Sequence, residues 1–412
     1  MRPSFSSLVA ATLAVSQACL ALPPSSPFSN PISTSRSEHN GAWSIKQVRN
    51  TDSRPDGLMA LASIYKKYNR PIPENLEAIV TRNRKRDQFF ATISDVWGTV
   101  SIPTRIGLPG QVYNLILDTA SSGIWVLSEQ AAKPELQAAY NPENSDTADL
   151  MKDYSWEIRH LAGEAASGDV YLDFVSITPH DGIRCRSQAV QVANYASGLW
   201  NVEHISGVMG LAFSSRNPIK PEPQPNIFDN MANQLDEKIF TVDLQHIIGI
   251  VDFGYIDKDK YAGEIGYADI FTEDGYWNFT IEGLMSDTTP PASGIEYAIA
   301  DTATSLLMLP MTYASAYYKR VPNAWYSIVH GGFVFPCSSE MPDFSFKVGG
   351  VEIAIPGDIL RFSSFNQKAT LCFGGLQPSD ELGFNIVGTV AFKSAFVVFD
   401  PVNFKIGWAK KW

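Results

Sequence analysis

The chain has 412 residues, more than a single hydrophobic core organises, so two lobes are expected. Hydrophobic residues at 45 % and aromatic ones at 12 % are ample for a globular protein, and the 18 % of charged residues fits a secreted β-rich one. The net charge of −11 is uneven: residues 1–86 hold 12 Lys+Arg against 5 Asp+Glu, while the rest hold 20 against 38. An acidic body argues against nucleic acid as a partner. A basic leader suggests electrostatic docking on that body, weakened when acid protonates its carboxylates.

Arg2 opens a short positive region, residues 8–15 form an apolar run, and small residues follow at Ala18 and Ala21. This predicts a signal peptide over 1–21, which would carry Cys19 away. No later run approaches the roughly 18 apolar residues of a membrane span. The closing K-I-G-W-A-K-K-W lacks the hydrophobic tail of a lipid-anchor signal. A secreted, extracellular monomer with no membrane partner is expected, a vacuolar destination less so.

Residues 22–86 begin Pro/Ser-rich, then show a helical pattern through Leu58, Leu61, Ile64 and Tyr65 that Pro71 and Pro73 break. Arg84-Lys85-Arg86, before Asp87 in a polar stretch, looks like a dibasic processing site, which makes 22–86 a propeptide. From Asp87 onward, short alternating apolar segments broken by Gly, Pro, Asn and Asp predict many strands. One helix is expected over 227–239, with Ile227, Phe228, Met231 and Leu235 on one face. A lobe boundary near residue 265 divides 87–264 from 265–412. No His or Cys pair has ligand spacing, so no metal is expected. Asn278-Phe279-Thr280 is the only N-x-[ST] sequon, and Trp277 and Phe279 alternate with Asn278 on what reads as a strand. That leaves Asn278 outward-facing for an N-glycan.

One phrase occurs twice. Residues 115–126 read L-I-L-D-T-A-S-S-G-I-W-V and residues 298–309 read A-I-A-D-T-A-T-S-L-L-M-L. Their aspartates, Asp118 and Asp301, lie 183 residues apart, about one domain's length. Desolvating a carboxylate at the end of a buried strand is costly unless something pairs with it. Two such carboxylates suggest two halves that each bring one to a shared interface.

With G-V-M-G-L-A-F (207–213), V-D-F-G-Y-I-D (251–257), F-P-C-S-S-E-M-P-D-F-S-F (335–346), C-F-G-G-L-Q (372–377) and F-V-V-F-D (396–400), the chain resembles the pepsin-like aspartic proteases. The likeness is to the fungal penicillopepsin-type branch and covers nearly the whole chain. It implies an all-β, bilobal fold, two related β-rich lobes with the active-site cleft between them. It also implies an aspartic endopeptidase made as a zymogen, acting on peptide or protein substrates without a cofactor. Two carboxyls about 3 Å apart cannot both ionise, so Asp118 and Asp301 would share a proton and divide the roles of base and acid. Thr119 and Thr302 match hydroxyls that lock the two aspartate loops together. Ser121 and Thr304 match those that bond the outer carboxylate oxygens, and Gly210 and Gly388 the glycines packed beneath each loop. Lys67-Tyr68 would plug the cleft as an inhibitory element of the propeptide. Cys337 and Cys372 sit where the family has a disulfide, closing a loop of roughly 35 residues that stabilises by about 3–4 kcal/mol. Cys185 would then remain a buried thiol.

Two departures stand out. Ala120 and Ala303 replace the glycines of the family's D-T-G, each adding a methyl where substrate backbone passes. In W-E-I-R-H-L-A-G-E-A-A-S-G-D-V (156–170), His160 takes the place of the flap tyrosine, and Leu161-Ala162-Gly163 replaces Gly-Asp-Gly at the tip. Trp125 stays where an indole N–H would meet that flap residue. A histidine there becomes cationic below about pH 6.5, which would move the optimum toward about pH 5–6. The alternative readings are a pepsin-fold enzyme doing acid–base chemistry, such as dehydration, on a small metabolite, and a non-catalytic binding module.

Overall fold

A computed structural model describes residues 34–36, 41–48, 56–86, 101–133, 137–159, 165–177, 183–197, 205–245, 248–284, 296–365 and 370–412. The expected signal peptide with Cys19, the N-terminus at Asp87, and the flap-tip residues His160, Leu161, Ala162 and Gly163 lie outside these.

Among the described residues, twenty strands join one hydrogen-bonded network, with a four-stranded and a two-stranded sheet beside it. Its first organising unit surrounds Asp118. The strand Gln111–Asp118 brings the aspartate to a turn, and Ser122–Leu127 leads away. A third strand, Gly207–Leu211, threads between them, parallel to the first arm and antiparallel to the second. Gly210 is the cross-strand partner of both Asp118 and Gly123. The unit recurs in the other half: Asn385–Val387 runs parallel to Glu296–Ala300 and antiparallel to Leu307–Leu309. Threaded strands are buried on both faces, which explains their unbroken apolar text.

Another part of the same network knits the halves together. Phe240–Leu244 pairs with Ile248–Phe253 and with Ala395–Asp400; Lys405–Lys410 then joins Ala395–Asp400 to Ala262–Phe271. The leader adds Trp43–Val48 alongside Ile248–Phe253. Strand Ala262–Phe271 runs through residue 265, so the expected lobe boundary falls inside a strand and not in a linker. Trp277 is packed against Phe213, Phe240 and Phe399 at 4.9–5.9 Å, and its indole N–H donates to the Leu211 carbonyl at 2.9 Å.

Two leader helices complete what positions the site. In α1 (Gly57–Lys67), Asp56 caps the start by accepting from the Leu58 and Met59 N–H groups. Leu58, Leu61, Ile64 and Tyr65 are at most 4 % exposed, each such burial contributing about 1.5–3 kcal/mol. They pack with Leu306, Met308, Val334, Phe373 and Ile386 of the body. Gly57 is required by proximity: a Cβ there would lie 2.2 Å from Phe373. The second helix, α2 (Glu74–Arg86), was not anticipated. The prolines that end α1 also start α2, with Glu74 and Glu77 in its first turn, so the basic run 84–86 lies on a helix. The helix expected over 227–239 is shorter: Ile227–Met231, then a 3₁₀ turn Ala232–Gln234. Tertiary hydrogen bonds win there, since the Asp236 and Glu237 N–H groups donate to the Gly41 and Gly254 carbonyls.

Candidate active site

Both aspartate turns meet at the bottom of a cleft of about 380 Å³. Asp118 is 6 % exposed and Asp301 fully buried. The two threonines lock the turns reciprocally. The Thr119 N–H donates to Thr302 Oγ1 at 3.1 Å, and the Thr302 N–H to Thr119 Oγ1 at 3.0 Å. Each hydroxyl then donates across to a strand of the opposite turn, Thr119 to the Ala300 carbonyl and Thr302 to the Leu117 carbonyl, both at 2.8 Å. All four groups of the lock are satisfied without water, so the spacing of the turns is rigidly set. Beneath them, a Cβ on Gly210 would come 2.5 Å from the Ser121 carbonyl, and one on Gly388 2.2 Å from the Leu306 carbonyl.

The alanines are accommodated without strain. Neither Ala120 nor Ala303 is among the described residues with positive φ, whereas Gly123 is at +91°. Their N–H groups donate to the carboxylates, Ala120 to Asp118 Oδ1 at 2.8 Å and Ala303 to Asp301 Oδ1 at 2.9 Å. Both methyl groups line the cleft.

The outer hydroxyls differ. Thr304 Oγ1 donates to Asp301 Oδ2, as expected. Ser121 does not mirror it: its Oγ is buried with no hydrogen-bond partner among the described residues. The bonds to Asp118 converge on Oδ1, from Ala120 and Lys67, and none comes from Ser121.

The leader reaches the floor of the cleft. Lys67 Nζ lies 2.9 Å from Asp118 Oδ1, and 2.8 and 2.9 Å from the two Asp301 oxygens. Tyr68 Oη donates to Asp301 Oδ2 at 2.8 Å. What delivers this pair is the end of α1, where Asn69 adopts φ +54° and turns the chain away. Burial disfavours the Lys67 ammonium, but the Asp118 and Asp301 carboxylates outweigh it and hold the amine above its ordinary range. Burial likewise pushes the Asp301 carboxyl up, and Lys67, with hydrogen bonds from Thr304 and Tyr68, overcomes this to hold it below its ordinary value. Burial first, and then the Asp301 charge, drive the Tyr68 phenol well upward.

Trp125 is 4 % exposed, lines the cleft and lies 6.0 Å from Trp156 on the flap strand. That strand, Asp149–Arg159, pairs antiparallel with Ala165–Ser176 through Arg159↔Ala165. Cys337 and Cys372 are joined, with Cα atoms 5.0 Å apart. Cys185 is a buried free thiol whose pKa burial raises. Asn278 is half-buried and donates to Asp274 at 2.8 Å, while Trp277 and Phe279 point inward. Among the cleft residues that escaped the sequence reading are Tyr276, which packs on Tyr68 at 5.6 Å, and Arg216. A basic residue so soon after the Gly210 segment was the available signal for Arg216.

Two β-rich halves, each delivering a carboxylate to one cleft, have the architecture of the pepsin-like fold. The comparisons agree. The family model described as "Eukaryotic aspartyl protease" matches residues 100–411. Endothiapepsin of Cryphonectria parasitica is 39 % identical over 394 residues, covering 92 % of this chain and 93 % of its own. Aspergillopepsin-1 of Aspergillus fumigatus is 35 % identical over 380 residues, covering 89 % and 92 %. Penicillopepsin-2 of Penicillium janthinellum is 35 % identical over 352 residues, covering 84 % and 86 %. The aspartic proteinase from Irpex lacteus shares the fold, with a TM-score of 0.61 at 18 % identity over 76 % of this chain and 94 % of its own. The chain belongs to the eukaryotic aspartyl protease family. Its activity is that of an aspartic endopeptidase, a hydrolase with the bilobal pepsin-like fold.

Proposed function

We propose that this endopeptidase is exported as a zymogen and hydrolyses peptide bonds with a water activated between Asp118 and Asp301. The observation that carries the reading is the single Lys67 ammonium held by both carboxylates on the floor of the cleft. A cation bridging two carboxylates occupies the ground that water and the scissile carbonyl need. With the leader gone, two carboxylates in one desolvated site cannot both stay ionised and share a proton. The ionised member takes a proton from the water, and the protonated member gives one to the carbonyl oxygen. The threonine lock fixes the spacing that this relay requires. No cofactor is needed.

In this reading residues 1–21 direct export, 22–86 fold the body and block it, and 87–264 and 265–412 form the lobes. Among the described residues no helix is long and apolar enough to cross a membrane. Acid releases the leader. The Asp301 carboxyl is held below its ordinary 3.8, so its contribution to docking is complete above that value and lost as the pH falls through the lowered one. Lys67, raised, stays charged throughout that window. Processing after Arg84-Lys85-Arg86 then requires the end of α2 to fray.

The test is acid activation of the full chain, followed by a mixed peptide library with and without a statine-type inhibitor. Inhibitor-sensitive cleavage, lost in Asp118→Asn and Asp301→Asn, is the expected result. A tenth or more of wild-type activity in either folded variant refutes the mechanism. Turnover of a small metabolite without peptide cleavage would install the acid–base alternative. Mass spectrometry of the secreted product checks the processing site, since a Lys85→Ala, Arg86→Ala variant should retain the leader.

A further inference from the structure

Among the described residues three cations line the cleft: Lys67, Arg159 and Arg216. Lys67 is held by the two aspartates, and Arg159 Nε donates to Glu157 at 2.5 Å. Arg216 makes no ion pair with a described carboxylate, yet its side chain is held in place. Its stem lies over Gly275, where an added Cβ would come 2.4 Å from Arg216 Cγ. Its guanidinium lies 3.5 Å from the Tyr276 ring centroid, and Nη1 donates to the Asp274 carbonyl at 2.8 Å. The Asp274 carboxylate is turned to its own loop, where it accepts from the Tyr276 N–H and from Asn278. Arg216 Nε is buried with no acceptor among the described residues. Among the described leader residues only Ser63, Lys67 and Tyr68 line the cleft, and none of these brings a carboxylate to this wall.

A guanidinium spread on an aromatic face keeps its other donors in a planar fork that fits a carboxylate. A buried N–H donor without a partner also costs free energy that an incoming acceptor removes. The same tyrosine connects this wall to the reacting centre: Tyr276 meets Tyr68, whose hydroxyl lies on Asp301.

We propose that Arg216 is a specificity-determining residue whose guanidinium, stacked on Tyr276, binds a carboxylate of the peptide substrate near the cleaved bond. The substrate class is therefore acidic peptides, with Glu or Asp at one defined position and Lys rejected there. This rests on the cleft between Asp118 and Asp301 being the peptide site.

The experiment takes one neutral peptide, amidated at its C-terminus, that the mature enzyme cleaves. Glu, Gln or Lys is placed singly at each position flanking the bond. At one position kcat/KM should be about tenfold higher with Glu than with Gln, the effect of one charge-assisted hydrogen bond at a partly exposed site. In Arg216→Met that ratio should fall to about one, and in Arg216→Lys it should survive in part. The ratio is taken within each variant, so a general loss of activity cancels. A preference seen only with free C-termini would assign the carboxylate to the peptide's end. A Glu/Gln ratio near one at every position, on neutral peptides that are cleaved, overturns this inference and leaves the peptidase reading intact. So does a preference that persists in Arg216→Met. If no peptide is cleaved, calorimetry with a reduced-bond peptide decides: Glu should bind about tenfold tighter than Gln, and equal or absent binding overturns the inference.

Discussion

The two aspartate turns are built alike and loaded differently. Both have a threaded strand, a glycine beneath, an alanine N–H on the carboxylate and one half of the threonine lock. Asp301, however, accepts from Lys67, Tyr68, Thr304 and Ala303, whereas Asp118 accepts from Lys67 and Ala120. The threaded fold fixes where the carboxylates stand, and the leader then loads the Asp301 side. Tyr68 explains the preference. Its ring packs among Tyr276 and Phe384, both from the second half, so its hydroxyl can reach only that side.

The largest effect that could break this asymmetry is on activity. Asp118→Asn and Asp301→Asn should each lower peptide turnover by 10²-fold or more, since an amide can neither accept nor return the proton. On leader retention the two should part. Asp301→Asn removes the charge and one of the two acceptor oxygens that four donors share, and should free the leader at higher pH than Asp118→Asn does. Equal release, measured by leader loss in stepwise acidification, would make the loading symmetrical in solution.

Next is Lys67→Met. It leaves two buried carboxylates facing each other, and losing one partner of a buried pair costs about 3–5 kcal/mol. The full-length variant should unfold at lower denaturant and show inhibitor-sensitive peptidase activity near neutral pH before any processing. A full-length variant as stable and silent as wild type would show that the helix face of α1, and not the ammonium, does the blocking. Tyr68→Phe keeps the ring contacts and removes one hydroxyl from Asp301. Its smaller effect, about 1–2 kcal/mol, should fall on leader docking alone.

The likeness of the turns was legible in the chain, their difference was not. Asp118 and Asp301 announce themselves because a buried carboxylate needs fixed neighbours, and the same neighbours recur in phase. Lys67-Tyr68 was picked out by the family resemblance, and the residues themselves showed only a helical pattern ended by two prolines. Other features depend on contacts distant in sequence. No linker composition marks the boundary near 265, because one sheet takes strands from both halves. The helix over 227–239 kept its apolar face but lost its second half to backbone partners at Gly41 and Gly254. Helix α2 hid behind prolines read as stops, though Pro with Glu in the following turn is equally a start. Ser121 and Thr304 occupy matching places in the repeated phrase, and no local rule foretells that only one hydroxyl finds its carboxylate.

That pair gives the sharpest comparison. Thr304→Val preserves shape and deletes the hydroxyl that donates to Asp301, so a fully buried carboxylate loses a charge-assisted bond. A cost of about 1–3 kcal/mol in the leader-bound protein follows. Release should also shift to higher pH, because the carboxyl that Thr304 helps hold below its ordinary range would rise toward it. Ser121→Ala deletes a hydroxyl that is buried without a partner, so it removes a desolvation cost and breaks no bond. Its stability should stay within about 0.5 kcal/mol of wild type or rise, with release pH unchanged. Denaturant midpoints of both full-length variants, at a pH above the carboxylate range, make the measurement. Equal destabilisation by the two substitutions would mean that Ser121 bonds Asp118 as Thr304 bonds Asp301. The asymmetry would then belong to the leader alone.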